Sequence, residues 1–448
     1  ALLGPEMLRG AIEVAARTQA TADDPWRDAD PGKLVHEIRR GPLSVLDLIP
    51  QSAYYGTQTT GAMFVLALSE YWHWTADRAF LRRHLETALR TFEWAETYGD
   101  RDGDGFLEYE KRSSAGLKNQ GWKDSDEAIR YPDGSVVQDP IATVEEQAFH
   151  HLALERMAEI LVAVGDQARA TAFLDRARAL RSSWNDAFWL PEAGFYALAL
   201  DPAKRAVATT TSNPGHALAA GLVPVERARA VAERLMADDL FSGWGVRTLS
   251  SAHPSYNPYA YHLGTVWPVE QATFALGLKR YGFDDLVDRL VEGMLAAADR
   301  FPADRLPELI AGISRAASDV PVAYADANSP QAWSASATVQ LLQVSLGIYP
   351  FAPLGLLALV RPRLPASIPA VTLRNVRVGR GVVSLRFTRR SDGSARHEVV
   401  ERTGPIVVVV VGPPNGEDAS WRERVARAAL RYLPGRRGRA ARIAMLGE

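Results

Sequence analysis

The 448-residue sequence contains no cysteine, which excludes disulfide bridges and cysteine-ligated metal sites. It also lacks a strong charge of either sign. The formal net charge is −2, so no overall field would draw the chain to nucleic acid or to a membrane surface. The nine histidines show no metal-ligand spacing, since His150 and His151 are adjacent and would point in different directions on a helix. We therefore expect no metal, no cofactor, and no nucleic-acid or membrane partner.

Long uninterrupted apolar runs are absent as well. The longest apolar stretch, residues 344–360, contains Pro350 and Pro353, and the run 406–411 is too short to cross a bilayer. No signal peptide is visible at the first residues, which also lack an initiator methionine, so we expect a trimmed or processed cytoplasmic protein. No glycine-rich phosphate loop and no Gly-x-Ser-x-Gly turn occurs, although a Ser-His-Asp triad is not excluded.

Helical periodicity dominates the first 350 residues. About ten helices follow one another, joined in pairs by short links and separated by long loops. Such a series of helical hairpins predicts a mainly α-helical toroid with its long loops on one rim. The predicted helices cover residues 5–19, 34–39, 63–74, 80–98, 149–161, 173–184, 225–236, 266–281, 286–295 and 329–346.

The apolar pattern changes near Pro350, where short β-branched or alternating runs are separated by proline and glycine. We therefore divide the chain into a helical catalytic domain over residues 1–350, a small β unit over 351–412, and an arginine-rich tail over 413–448. The tail is expected to hold a short helix at 421–432 and a solvated basic end.

One candidate metal site lies at residues 100–111, where the spacing of Asp100, Asp102, Asp104 and Gly105 is that of an EF-hand loop. The twelfth position holds Lys111, however, where calcium needs a bidentate glutamate. The sequence therefore predicts a tight turn, with aspartate side chains bonded to backbone amides, that binds no calcium.

Residues 119–126, Asn-Gln-Gly-Trp-Lys-Asp-Ser-Asp, lie on a loop between two predicted helices. They place two carboxylates, Asp124 and Asp126, beside Trp122. An indole offers an apolar face to a sugar ring, and a carboxyl group beside it can transfer protons. A turn rich in aspartate and asparagine with a buried tryptophan explains these eight residues equally well.

Three further loops have sequences unlike those of a helical core. They are residues 253–268, which include His262 and Trp267; residues 305–309, Arg-Leu-Pro-Glu-Leu; and residues 328–333, Asn-Ser-Pro-Gln-Ala-Trp. Together with residues 119–126 they resemble the helical-toroid glycoside hydrolases, most closely the bacterial glycogen-debranching-like (amylo-α-1,6-glucosidase) proteins, which are relatives of the family-63 glucosidases and the trehalases. The resemblance runs from about residue 5 to about residue 411.

This resemblance implies an (α/α)6 barrel of the six-hairpin glycosidase type with a funnel-shaped sugar site. It places the general acid on Asp124 and the general base on Glu308, with Asp126 as a rival acid. The implied reaction is inverting hydrolysis of α-glucosidic linkages in oligo- or polysaccharides, which needs one protonated and one ionised carboxyl group.

Weaker roles in substrate binding fall to aromatic and amide side chains of the same loops. The aromatic rings could stack on sugar, the polar groups could bond hydroxyls, and each alone could equally belong to the core. His262 has an alternative role as a histidine that anchors its loop. The candidate substrate-binding residues are Tyr55, Gln120, Trp122, Lys123, Trp244, His262, Trp267, Gln331 and Trp333, with Tyr54 as a further stacking candidate.

The sequence departs from the family pattern at several positions, including Leu263 after Tyr-His and Val269-Glu270 after Trp-Pro. Relatives also carry an N-terminal β domain and a first barrel helix, neither of which precedes Ala1. We therefore expect a barrel without its first helix, on which an N-terminal β domain packs in the complete protein. The alternative to an active hydrolase is a catalytically weak or inert carbohydrate-binding remnant.

Overall fold

The computed structural model describes residues 2–411. The arginine-rich tail and its expected helix at residues 421–432 lie outside the described residues.

Eleven α-helices lie between residues 6 and 345, in line with the predicted series of helices. None of the helices among residues 2–411 is both long and apolar enough to cross a membrane. The helices are α1 (Glu6–Arg17), α2 (Pro42–Val45), α3 (Thr59–Thr75), α4 (Arg78–Trp94), α5 (Val144–Val164), α6 (Gln167–Ala187), α7 (Pro214–Ala220), α8 (Val225–Leu235), α9 (Pro268–Tyr281), α10 (Asp284–Ala298) and α11 (Ala332–Ser345).

From α3 onward the helices pack in two layers. Each odd-numbered helix packs on the next odd-numbered one, from α3 through α5, α7 and α9 to α11, and each even-numbered helix packs on its predecessor. Helix α5 belongs to the inner series and buries residues around most of its circumference, whereas α8 buries the single stripe of Ala228, Val231, Ala232 and Leu235. This is the packing order of a helical toroid, and the closed (α/α)6 ring stays a prediction.

Two of the links between paired helices, those before α4 and α6, cap the following helix with an aspartate side chain. Asp77 accepts a hydrogen bond from the Phe80 amide (3.0 Å) and begins α4, and Asp166 accepts one from the Arg169 amide (3.1 Å) and begins α6. Gly165 ends α5 in the left-handed conformation that glycine tolerates. The helix predicted at residues 34–39 is wrong: Glu37 instead pairs with Tyr54 as an isolated β-bridge.

The β unit after residue 347 is confirmed and consists of two three-stranded sheets. One sheet has the order β10-β9-β8, all antiparallel; in the other, β6 is antiparallel and β11 parallel to β7. Trp74 near the end of α3 and Leu346 after α11 share the core of this unit, which attaches it to the helices. The strands are β6 (Ile348–Phe351), β7 (Leu356–Val360), β8 (Ala370–Val378), β9 (Gly381–Arg389), β10 (Ala395–Thr403) and β11 (Val407–Val411).

Short two-residue strands line the loops between the helices and were not predicted. They are β1 (Ala142–Thr143), β2 (Trp189–Leu190), β3 (Phe195–Tyr196), β4 (Ala199–Leu200) and β5 (Ala206–Val207). Strands β1, β4 and β5 form one small sheet. Because β1 directly precedes α5, this sheet fixes the position in which the segment after residues 119–126 enters α5.

The EF-hand-like loop folds as an aspartate-rich turn. Asp100 accepts hydrogen bonds from the backbone amides of Gly103 (2.9 Å) and Gly105 (3.0 Å). The ammonium group of Lys204 lies among the acidic side chains, 3.1 Å from Asp102 Oδ2 and 2.8 Å from Asp104 Oδ2, and it also contacts Glu108. A lysine from a distant turn thus supplies the positive charge that a calcium ion would supply in an EF-hand, a role the sequence analysis did not foresee.

We expect Lys204→Ala to lower the free energy of unfolding by about 2 kcal/mol, because acidic groups partly removed from water lose their counter-charge. Millimolar calcium should restore part of this stability in the variant and change the parent protein little, as urea unfolding with and without calcium would measure. Lys111→Ala is the matched control, and it should leave the midpoint of urea unfolding unaltered both with and without calcium. An unaltered midpoint for Lys204→Ala, with no calcium response, would contradict this account.

Candidate active site

The loop at residues 119–126 is closed on itself by an asparagine side chain. Asn119 Nδ2 donates to the carbonyl oxygens of Ser125 (2.7 Å) and Asp126 (3.4 Å), and the Tyr109 hydroxyl donates to Asn119 Oδ1 (3.0 Å). Asn119 is buried, so these bonds replace the solvent that its amide has lost. The asparagine therefore fixes the loop that carries Trp122 and Asp124.

Lys123 anchors the same loop from below. Its side chain is only 1% exposed, and its ammonium group donates to the carbonyl oxygen of Thr248 (2.6 Å). Burial lowers the pKa of Lys123 to about 8, although the negative charges of Glu270 and Glu145 act in the opposite direction. The lysine faces the protein interior, and its contacts are those of an anchor rather than of a sugar ligand.

The Lys123 anchor connects the two candidate catalytic segments. Thr248, which accepts the bond from Lys123, also donates its backbone amide to Thr265 O (2.9 Å). The next residue, Val266, pairs with Ile310 through two backbone hydrogen bonds of 2.9 and 3.0 Å. Ile310 lies two residues after Glu308, so a short ladder of backbone bonds links the loop of Asp124 to the segment of Glu308.

Three tryptophans from distant segments meet in one cluster: Trp122 lies two residues before Asp124, Trp267 directly precedes α9, and Trp333 is in the first turn of α11. The ring centroids of Trp122 and Trp267 are 5.1 Å apart, those of Trp267 and Trp333 are 5.6 Å apart, and those of Trp122 and Trp333 are 6.4 Å apart. His262 stacks on Trp267 at 5.1 Å. Trp267 is fully buried, whereas Trp333 is 37% exposed, so Trp333 offers the accessible aromatic face of this cluster.

Asp124 is partly buried and lies next to the half-buried Trp122. The pKa of Asp124 is raised to about 6, chiefly by burial and also by the negative charges of Glu37 and Glu308, while the backbone amide of Asp124 acts against this shift. Asp126 is exposed and accepts a hydrogen bond from the Lys118 amide (3.3 Å). The environment of Asp124 suits a carboxyl group that holds its proton near neutral pH, which is what a general acid requires.

Glu308 has a different environment. It is 4% exposed and accepts three hydrogen bonds, from the Tyr261 hydroxyl (2.7 Å), the Asn328 amide (3.1 Å) and Asn328 Nδ2 (2.8 Å). Its backbone amide donates to Asn328 O (2.9 Å). These donors thus fix the orientation of the Glu308 carboxyl group. The arrangement suits a carboxyl group that acts as a hydrogen-bond acceptor.

Other predicted binding residues are engaged elsewhere in the fold. Trp244 is 1% exposed in the main core, with the Arg315 guanidinium over its ring, so it has no face to offer a sugar. The Tyr55 hydroxyl donates to Thr18 O (2.8 Å), and the Gln331 side chain accepts the Ala332 amide at the start of α11 (2.7 Å). The Tyr54 hydroxyl donates to the buried Asp28 (2.8 Å). Trp244, Tyr55 and Tyr54 thus meet structural requirements that a linear sequence does not reveal, whereas Gln331 bonds only its neighbour and its role in binding stays a prediction.

Gln120 and His262 are both nearly inaccessible to solvent. His262 Nδ1 is 2.9 Å from Ser125 Oγ, and burial holds the pKa of this imidazole well below its usual range. This fits the loop-anchoring alternative for His262. The Gln120 carbonyl oxygen accepts the Gln58 amide (2.8 Å), which ties the loop to the start of α3.

Two residues that contact Glu308 were missed by the sequence analysis. Tyr261 and Asn328 lie inside loop motifs already singled out, but nothing in their spacing shows that they meet at Glu308. Glu145 and Glu146 at the start of α5 were also missed; both are fully buried below Gly121. Acidic residues in the first turn of a helix are common, and the sequence alone gave no reason to select these two.

Comparison with known proteins gives the family. A family described as the mannosylglycerate hydrolase MGH1-like glycoside hydrolase domain matches residues 55–304, more than half of the chain. The chain belongs to this family. The matched region contains Asp124 and ends four residues before Glu308.

A curated relative agrees with that assignment. The mannosylglycerate hydrolase of Rubrobacter radiotolerans is 30% identical over 173 residues, which is 37% of this chain and 38% of the relative. The chain thus matches well under half the length of that curated relative.

Solved structures share the fold. The GH63 mannosylglycerate hydrolase of Thermus thermophilus aligns with a TM-score of 0.54 and 17% identity over 76% of this chain and 89% of that one. The GH78 family rhamnosidase of Bacillus sp. GL1 aligns with a TM-score of 0.60 and 16% identity over 92% of this chain and 37% of that one. The expected membership of the six-hairpin glycosidases is supported, and the finer resemblance to glycogen-debranching proteins is not.

We expect Asp124→Asn to stabilise the protein above pH 6 and to leave its stability near pH 4 unchanged. The pKa of Asp124 is raised in the folded state, so the wild-type carboxyl group loses folding stability as pH rises from about 4 through 6. The gain for the neutral amide should be about 2 kcal/mol after allowance for solvent contact. Thermal unfolding across this pH range measures it, with Asp126→Asn as the exposed control; an equal effect of both variants at all pH values would contradict the prediction.

Proposed function

We propose that this protein is an inverting glycoside hydrolase in which Asp124 is the general acid and Glu308 the general base. The observation that carries the proposal is the contrast between the two carboxyl groups beside one aromatic cluster. Asp124 lies in surroundings that favour its protonated form, and Glu308 is surrounded by hydrogen-bond donors. Different environments for two carboxyl groups are the physical basis for dividing the acid and base roles.

In the proposed reaction, Asp124 gives its proton to the leaving oxygen as the glycosidic bond breaks. Glu308 takes a proton from a water molecule that attacks the anomeric carbon from the opposite face. Room for this water requires the two carboxyl groups to lie roughly 6.5–9.5 Å apart. Trp333, with Trp122 behind it, would place the sugar ring between them by stacking.

For the substrate, we propose an α-linked glucosyl or mannosyl unit of a small glycoside. The family takes its description from mannosylglycerate hydrolases, and the Thermus thermophilus enzyme has structures in complex with glucose and in complex with Tris and D-glycerate. Oligosaccharide or branched α-glucan substrates, which the sequence resemblance implied, form the second substrate class to test.

A second candidate function is a carbohydrate-binding protein with little or no hydrolytic activity. One observation favours it: at the start of α11, the side chains of Ala332, Trp333, Ala335 and Ser336 are exposed. The sugar site is therefore open on the side of Trp333. We propose that a further helix, with an N-terminal β domain, covers this side in an active enzyme; without them the site would bind sugar and release it unchanged.

Removal of either catalytic carboxyl group should abolish turnover without loss of fold. We expect Asp124→Asn and Glu308→Gln each to reduce kcat on an α-glucoside or α-mannoside by about 10²- to 10⁴-fold, which is what a general acid or base contributes. Asp126→Asn should cost less than about tenfold. Retention of activity by Asp124→Asn, together with its loss in Asp126→Asn, would transfer the acid role to Asp126.

The stereochemistry of the product tests the reaction type. Proton NMR during the first minutes of hydrolysis should show the β-anomer released from an α-glycoside, because a single displacement inverts the anomeric centre. Initial release of the α-anomer would contradict the inverting mechanism. Sugar binding by the wild-type chain with no product at all would instead favour the carbohydrate-binding function.

The role of Trp333 can be measured separately from the chemistry. We expect Trp333→Ala to raise KM about tenfold, which corresponds to about 1.4 kcal/mol of lost stacking, with a smaller effect on kcat. Trp333→Phe should recover most of the affinity because it restores an aromatic face. Trp189→Ala, which removes an indole on β2 away from the site, is the control, and equal effects of the two alanine variants would contradict a stacking role.

A further inference from the structure

The carboxylate of Glu308 has unequal oxygens. A carboxylate offers about four lone-pair positions, two on each oxygen. Oε2 accepts both the backbone amide and the side-chain amide of Asn328, at 3.1 and 2.8 Å. Oε1 accepts only the Tyr261 hydroxyl, at 2.7 Å. Three positions are therefore used by the described residues, and the one left for a water molecule is on Oε1.

Oε1 also lies on the side of the sugar site. The Tyr261 hydroxyl bonded to it belongs to a ring that is 4.8 Å from Trp267 and 4.6 Å from His262, both members of the aromatic cluster next to Asp124. The charge of Asp124 acts on the Tyr261 hydroxyl together with that of Glu308. Oε2, by contrast, is bonded to Asn328, an exposed residue in the segment before α11.

Tyr261 is itself held firmly in place. Its carbonyl oxygen accepts hydrogen bonds from Trp267 Nε1 (3.0 Å) and Thr265 Oγ1 (2.6 Å). Trp267 is fully buried, so the loop cannot shift without disturbing the core of the cluster. The hydroxyl of Tyr261 thus has a defined position relative to Glu308.

We propose that Oε1 of Glu308 is the atom that takes the proton from the attacking water, and that Tyr261 is the positioning residue that directs the free lone pair of this oxygen to that water. This inference rests on the proposed inverting function. In the step, the water oxygen bonds to the anomeric carbon, the bond to the leaving oxygen breaks, the water proton moves to Oε1, and the proton of Asp124 moves to the leaving oxygen. The Tyr261 proton stays on Tyr261 throughout.

The decisive variant is Tyr261→Phe. It removes the donor from Oε1 and leaves Oε2 bonded to Asn328. We expect kcat to fall about 10- to 100-fold, with KM changed less than about threefold. The acidic limb of the pH–activity profile should move up by about half a pH unit or more, because a donor that stabilises the carboxylate anion is lost. An unchanged acidic limb would overturn the proposal.

Tyr256→Phe is the matched control. Tyr256 lies in the same loop, but its hydroxyl donates to the backbone carbonyl of Gly312 (3.0 Å) and not to Glu308. It should lower thermal stability about as much as Tyr261→Phe without moving the acidic limb. Equal shifts in both variants would show a general loosening of the loop and would also overturn the assignment of Tyr261.

A readout without substrate separates this inference from the proposed function. In protein labelled with ¹³C at glutamate carboxyl carbons, the Glu308 resonance is identified as the one missing in Glu308→Gln, and its titration is followed by NMR. A midpoint that moves to higher pH in Tyr261→Phe, but not in Tyr256→Phe, supports the positioning role even if no glycoside is hydrolysed. A midpoint that does not move contradicts it even if hydrolysis is fast.

Discussion

The hydrogen bond from the buried ammonium group of Lys123 is the interaction on which the candidate site depends. The ammonium group is removed from water beneath the loop at residues 119–126 and donates to the carbonyl oxygen of Thr248. A buried charge left without partners costs several kcal/mol, so the loop cannot lift away from this position without losing a bond that water cannot replace there. Because successive side chains of an extended loop point in opposite directions, the anchoring of Lys123 inward leaves Asp124 on the side of the aromatic cluster.

The same anchor relates the two carboxyl groups, which are far apart in sequence. Backbone bonds run from Thr248 to Thr265 and from Val266 to Ile310, two residues beyond Glu308. Rigid support of this kind matters for an inverting hydrolase because the water between acid and base must fit a defined gap. The arrangement also carries a cost in stability, since Asp124 is held where its charged form is disfavoured. Active sites commonly exchange stability for such a shifted pKa.

Much of the fold followed from local pattern. Helices α3 to α6 and α8 to α10, and the change to β structure near residue 350, follow from periodicity and turn chemistry, which act over a few residues, whereas α7 was not predicted. The helix expected at residues 34–39 failed because Glu37 pairs with Tyr54, a contact between distant residues that overrides local propensity. The (α/α)6 closure and the covering N-terminal domain were implied by resemblance, and they stay predictions.

The sequence by itself determined which loops carry unusual chemistry, and it also determined the family resemblance. Motifs such as Asn-Gln-Gly-Trp-Lys-Asp-Ser and Leu-Pro-Glu-Leu can be recognised from the order of residues alone. Only the tertiary structure decided how each side chain is used. It gave Trp244 and Tyr55 structural roles, and it placed the Lys204 ammonium group among the acidic side chains of the EF-hand-like loop. It also brought Tyr261 and Asn328 to Glu308. The physical reason is that burial, pKa and hydrogen-bond partners depend on what lies across the fold, and the linear spacing of residues does not contain that information.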